Sequence, residues 1–122
     1  MLDHVGLGVG DYQRSKSFYE RALEPLGVTV LLERPGVVAA FGETGMPFFM
    51  IHGDREPSQP PLHFAFNAAD REAVRAFHAA GLTAGGTDNG APGPRDYAPN
   101  YYGAFVLDPD GNNIEAVCHK PE

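Results

Sequence analysis

From Val5 to Val9 apolar residues alternate with small ones, with His4 in phase on the side of Gly6 and Gly8, a two-residue period that predicts a strand with one buried face. The period then changes. Ser15, Phe18, Tyr19 and Ala22 recur at helical spacing. Asp11 is placed to cap the start of this helix, and Gly27 lies just past its end. The same change of period occurs again: Leu62, Phe64 and Phe66 alternate with His63, Ala65 and Asn67, then Asp70 precedes Val74, Phe77 and His78 at helical spacing. This second helix is expected to end near Gly81. Shorter apolar runs follow each helix, at 28–33, 37–41 and 47–52, then at 102–107 and 112–118. Pro35-Gly36, Thr44-Gly45 and Asp110-Gly111 supply turns between them, the last suited to a tight hairpin.

The repetition extends to particular residues. An offset of 59 residues carries His4 onto His63, Val5 onto Phe64, Asp11 onto Asp70, Phe18 onto Phe77 and Leu23 onto Leu82. A histidine, a helix cap and core positions coincide in phase, which points to a duplicated module, about 1–57 and 58–122. Either module alone buries too little apolar surface, so the two must share an interface or pair with another chain. The expected fold class is α+β: two βαβββ modules forming curved mixed sheets around a concave cup, with helices on the outer face. The glycine- and proline-rich stretch 83–100 breaks the symmetry. Beyond one short strand at 82–86 it is expected to be a long loop, either a lid or disordered, offering Arg95, Tyr97, Asn100 and Tyr101.

Composition narrows the partners. A chain of 122 residues suits one domain, and a net charge of -7 opposes binding to nucleic acid or an anionic membrane surface. The lone Cys118 forms no intrachain disulfide or cysteine-built zinc site, no apolar run reaches the roughly 18–20 residues of a membrane span, and the opening residues lack signal-peptide character. A cytoplasmic protein is expected.

If Val5, Leu7 and Val9 are buried under the helix, His4, Gly6 and Gly8 face the other way, as do His63, Ala65 and Asn67 in the second module. Burying Ile114 and Ala116 likewise sends Asn113, Glu115 and Val117 to the open side. A glutamate in mid-strand needs a partner, because desolvating its charge is costly. Two imidazoles and a carboxylate suit a divalent ion such as zinc, iron, manganese or nickel, with positions left for water or substrate. Either histidine alone is more commonly a satisfied core or rim residue.

The opening LDHVGLGV, the helix DYQRSKSFYERAL, the segment LHFAF with His63 and the hairpin DPDGNNIE ending at Glu115 together resemble the vicinal oxygen chelate superfamily, which includes glyoxalases, bleomycin-resistance proteins and extradiol dioxygenases. The resemblance covers the whole chain. It implies a metal held by His4, His63 and Glu115, and a small organic substrate chelated through neighbouring oxygens. Phe48, Met50, Arg95, Asn100 and Tyr101 would then contact substrate. Aligning FFMIH with NIEAV sets Met50 opposite Glu115, where glyoxalase I has a second carboxylate. A thioether neither binds a hard ion well nor acts as a base, which argues against glyoxalase I chemistry itself. His52 points the same way as Met50 but lies about 6–7 Å further along the strand. If a catalytic base is required, Glu115 displaced from the metal, a metal-bound hydroxide and His52 are the candidates, in that order.

The two-histidine, one-carboxylate set is similar to those of extradiol dioxygenases, which commonly use four modules, and fosfomycin-modifying thiol transferases, which surround their substrate with basic residues. Lyase, isomerase, dioxygenase and transferase chemistry all remain compatible. The resemblance also implies a second possibility, a metal-free binder of a cationic ligand in an acidic, aromatic groove. A homodimer is expected, with the cup built within one chain or across two. The GLGVG run has the wrong spacing for a dinucleotide fingerprint, and Asp108 and Asp110 are expected as turn formers. Of Tyr101 and Tyr102, one should pack while the other lines the cup.

Overall fold

Each half of the chain folds as a strand, a helix and three further strands. The first half comprises β1 (Val5–Gly8), α1 (Tyr12–Leu23), β2 (Thr29–Arg34), β3 (Val38–Glu43) and β4 (Met46–His52). The second comprises β5 (His63–Asn67), α2 (Arg71–Thr83), β6 (Thr87–Pro94), β7 (Tyr102–Leu107) and β8 (Asn113–Cys118). A computed structural model describes all residues, Met1–Glu122. The class is α+β, with two mixed four-stranded sheets ordered β1-β4-β3-β2 and β5-β8-β7-β6. β1 runs parallel to β4 and β5 parallel to β8, while the other neighbours are antiparallel.

Local chemistry fixes the helix ends. Asp11 accepts from the Arg14 backbone N–H at 3.1 Å and Asp70 from that of Ala73 at 2.8 Å, so both expected caps form. A single 3₁₀ turn, Glu24–Leu26, closes α1, and Gly27 follows at φ 80°, a left-handed conformation that glycine adopts without a Cβ penalty. The α1 residues Ser15, Phe18, Tyr19, Ala22 and Leu23 are buried, as their spacing requires.

The helix-facing residues of both sheets meet in one core. Phe18, Tyr19, Phe41 and Phe49 from the first half join Phe66, Val74, Phe77, Val106 and Ile114 from the second in a single cluster of 20 buried residues. Phe49 bridges the halves edge-on, with ring centroids 5.7 Å from Phe64 and 5.3 Å from Phe66. A polar tie reinforces this packing. The Tyr19 hydroxyl, fully buried on α1, donates to Asp108 in the β7–β8 loop, and the Gly10 N–H donates to Asp110 at 3.2 Å.

α2 ends at Thr83, close to Gly81, and a glycine suits that last turn because a Cβ there would sit only 3.2 Å from Val106. Two expectations need correction. No strand forms at 82–86, which is helix end and turn, and residues 87–94 of the supposed long loop form β6. Its prolines are tolerated because β6 is an edge strand, where a missing N–H need not break a ladder bond, and two register shifts absorb its glycines. The Asp110-Gly111 turn is part of a five-residue loop, 108–112, rather than a tight two-residue hairpin. The Asp108 carboxylate makes the difference by accepting from the backbone N–H groups of Asp110 (2.9 Å) and Asn112 (2.8 Å).

Candidate functional site

Glu115 sits in mid-strand on β8, opposite Ala65 on β5 and Phe105 on β7. The same registration occurs in the first half, where Met50 on β4 lies opposite Gly6 on β1. Glu115 and Met50 therefore occupy equivalent positions, each opposite the residue two beyond a histidine. The expected open side is closed at Glu115: only 2% of this residue is exposed. The covering groups are polar. His63 Nε2 lies 3.1 Å from Glu115 Oε1, and the Tyr101 hydroxyl donates to Oε2.

His63 opens β5, and its Nδ1 lies 2.9 Å from the backbone carbonyl oxygen of Asn113. A carbonyl only accepts, so Nδ1 carries the hydrogen. In the neutral ring Nε2 is then a bare lone pair, directed at a carboxylate oxygen. Two acceptors at this separation need a proton or a cation between them. A backbone carbonyl that fixes one ring nitrogen and leaves the other free is also the usual support of a metal-binding histidine. The nitrogen and oxygen donors therefore fit a divalent ion of the zinc, iron, manganese or nickel type.

Tyr101 reaches Glu115 along the sheet because Gly103 lies between them without a side chain. A Cβ there would come within 3.1 Å of Glu115 Oε2 and 3.2 Å of the Tyr101 ring. Burial foremost, then the hydrogen bond to Glu115 and its charge, pushes the Tyr101 phenol up to about 12. It is a hydrogen-bond donor to the carboxylate near neutral pH. Tyr97 and His119 meet the ring edge-on, at 5.0 and 5.3 Å between centroids. Tyr102 points the other way and is buried, with the Arg71 guanidinium 4.8 Å above its ring. The two tyrosines therefore diverge, Tyr102 into the core and Tyr101 onto Glu115, and Tyr101 is not among the residues that line the cavity.

The third expected ligand stands apart. His4 precedes β1, is exposed, and its Nδ1 lies 2.8 Å from the neighbouring Asp3 carboxylate. No three or more histidine, cysteine, aspartate or glutamate side chains of one chain are grouped to hold a metal. His4 and His63 nevertheless line the same cavity, of about 500 Å³, with Phe48, Phe66, Asp3 and Glu43 among its other walls. No lysine or arginine lines it.

The remaining candidates are placed as follows. Phe48 is on the cavity wall, stacked at a tilt on Phe66 with centroids 6.4 Å apart. Met50 is half-buried on β4. No slip in register separates Met50 from His52, so His52 does not move into the position equivalent to Glu115. Its ring lies over Gly6, where a Cβ would be 2.9 Å from Nε2 and 3.7 Å from Arg55. Burial first, and the Arg55 charge second, hold the His52 imidazole below its usual range, against the opposing charge of Asp54. Arg95 is not the free clamp expected of a lid. Its guanidinium donates to the carbonyls of Ala91, Gly93 and Pro94 and lies 5.4 Å above the Phe105 ring. Asn100 takes a left-handed turn conformation, φ 60°, in the short connection before Tyr101. Sequence reasoning missed the link from Tyr101 to Glu115, whose one signal is the glycine two residues after the tyrosine on a strand neighbouring Glu115.

Comparison with known proteins agrees with this architecture. The family model described as Glyoxalase/Bleomycin resistance protein/Dioxygenase superfamily matches residues 1–116. No curated protein matches the sequence. A crystal structure of a glyoxalase/bleomycin resistance protein from Albidiferax ferrireducens T118 is similar, with 32% identity, a TM-score of 0.81, and coverage of 98% of this chain and 99% of that one. A glyoxalase-related enzyme from Fulvimarina pelagi shares the fold at 19% identity and TM-score 0.75, covering 99% and 88% of the two chains. A lactoylglutathione lyase from Agrobacterium tumefaciens does so at 18% identity and TM-score 0.70, covering 97% and 92%.

Proposed function

Because this chain belongs to the glyoxalase/bleomycin resistance protein/dioxygenase superfamily, we propose that it is a metal-dependent enzyme acting on a small organic substrate through two neighbouring oxygens. The observation that carries the proposal is the pair of acceptors, His63 Nε2 and Glu115 Oε1, facing one another at 3.1 Å with Nδ1 committed to a backbone carbonyl. His63 and Glu115 would hold the ion, with His4 as the third ligand. When bound, a divalent ion supplies Lewis-acid stabilisation of an enolate, alkoxide or related anion. The walls around His4 and His63, with Phe48 and Phe66 and no basic side chain, favour a substrate with an apolar or aromatic body and no large negative charge. Met50 supplies no second carboxylate, so proton shuttling between two carboxylates forms no part of the proposal.

β1 and β5 each end a sheet with one unpaired edge. A homodimer would cover such edges and could bring His4 of one subunit to His63 and Glu115 of the other. Mixing His4→Ala with His63→Ala subunits tests this: recovery of metal binding in the mixture supports a shared site, and its absence a site within one chain.

Metal analysis of protein purified without chelator tests the main reading. One ion per subunit, lost in His63→Ala, is the expected result. A chelator-sensitive turnover screen over small diketones, catechols and thiol adducts then identifies the reaction. The acidic residues Asp3 and Glu43 on an aromatic cavity favour one other reading, a metal-free binder of a cationic ligand. Metal-free protein at every pH tested, together with binding of an aromatic amine, would replace the enzyme proposal with that one.

A further inference from the structure

The carboxylate of Glu115 has two oxygens, and the structure engages them differently. Oε1 faces His63 Nε2, while Oε2 accepts from the Tyr101 hydroxyl. The phenol is carried by the last residue of the connection between β6 and β7, and this connection is fastened at both ends. The Arg95 N–H donates to the Tyr101 carbonyl at 2.9 Å, and the Tyr101 N–H to that of Ala98 at 3.2 Å. Arg95 in turn is held by three carbonyls and by Phe105, the neighbour of Glu115 across the sheet. The path from phenol to carboxylate crosses Gly103, the gap that no larger residue would leave open.

We propose that Tyr101 is a positioning residue of the metal site: its hydroxyl occupies Oε2, so that Glu115 presents only Oε1 to an ion shared with His63. The inference rests on the metal reading above. A buried carboxylate with both oxygens free could rotate about its terminal torsion, which is broad for glutamate, and present either edge or both. The phenol removes that freedom. It also satisfies the outer oxygen, which would otherwise be a buried acceptor without a partner. Hydrogen bonds of this kind orient the ligating group, and losing one typically weakens metal binding by about 10- to 100-fold.

Two substitutions separate this role from simple packing. Tyr101→Phe keeps the ring against Tyr97 and His119 and removes only the hydroxyl. Gly103→Ala keeps the hydroxyl but puts a methyl group between it and the carboxylate. Zinc titrated calorimetrically into chelator-stripped protein should bind each variant about 10- to 100-fold more weakly than the wild type, as for other outer partners of metal ligands. Cobalt substitution should show an altered visible absorption band in both variants, a signature that loss of packing alone does not produce. Unchanged zinc affinity in a folded Tyr101→Phe protein would overturn the inference, as would tighter binding, which would make the phenol a competitor of the ion. Wild-type protein that takes up no zinc would remove the metal reading, and the inference with it. If Tyr101→Phe fails to fold, the Gly103→Ala titration decides by the same criterion.

Discussion

Replacing Glu115 by glutamine probes the mismatch at the centre of the site. With metal stripped away, and at a pH where the His63 ring is neutral, the wild-type chain buries a carboxylate whose Oε1 faces the Nε2 lone pair of His63 at 3.1 Å. A glutamine of the same shape can turn its amide N–H₂ towards Nε2 and its oxygen towards the Tyr101 hydroxyl, so every group gains a complementary partner. Exchanging two facing acceptors for a hydrogen bond beside the half-exposed His63 is worth about 0.5–1.5 kcal/mol. Replacing a buried charge by a neutral isostere acts in the same direction. Glu115→Gln should therefore be more stable than the wild type in chelator by about 0.5–1.5 kcal/mol. With a urea dependence of about 1–3 kcal/mol per molar, the unfolding midpoint should rise by about 0.5 M. Excess zinc should reverse the order, since ligand at 100 times its dissociation constant stabilises the protein that binds it by about 2.7 kcal/mol. Urea unfolding followed by circular dichroism, with and without zinc, gives all four midpoints. A glutamine variant less stable than the wild type in chelator by more than about 1 kcal/mol would refute the reasoning, because the native pair would then be a favourable imidazolium–carboxylate bridge.

Two further outcomes follow from contacts outside the site. Asp108→Ala strands the buried Tyr19 hydroxyl and the Asn112 N–H, and should cost about 2–6 kcal/mol in urea unfolding, whereas Tyr19→Phe loses one charge-assisted bond and should cost about 1.5–3 kcal/mol; a loss under 1 kcal/mol for Asp108→Ala would mean that the loop is not what joins α1 to β8. His52 is held below its usual range by burial and Arg55, so the unfolded chain takes up its proton at higher pH than the folded one, and stability should fall as pH drops below about 6.5. His52→Gln should flatten that fall between pH 7.5 and 5, and an unchanged slope in the variant would contradict the assignment.

The elements that were legible in the sequence are those whose signal is local. The alternation at 5–9 and 63–67, the caps Asp11 and Asp70, and the left-handed Gly27 act within a few residues and form as expected, whereas Leu62 lies outside β5 and is exposed. Aligning FFMIH with NIEAV also carried true information about register, since it set Met50 and Glu115 at equivalent positions before any pairing was known. β6 escaped notice because its composition opposes a strand, and its pairing with β7 is decided by the neighbour rather than by its own residues. Asp108 read as a turn former, which it is, but its bond to Tyr19 spans 89 residues and has no local signature. The site divided in the same way. Strand alternation placed His63 and Glu115 on one face, yet His4 lies before the first strand residue, where alternation no longer constrains a side chain. Arg95 looked available because a sequence does not show that three nearby carbonyls already claim its donors.

The most direct test of the metal reading is an anomalous-scattering map from crystals of the protein grown with zinc. A single strong peak per site about 2.0–2.2 Å from both His63 Nε2 and Glu115 Oε1, with a His4 nitrogen completing the set, is the predicted result. A map with no peak between residues 63 and 115, or with zinc bound only at surface histidines, would contradict it.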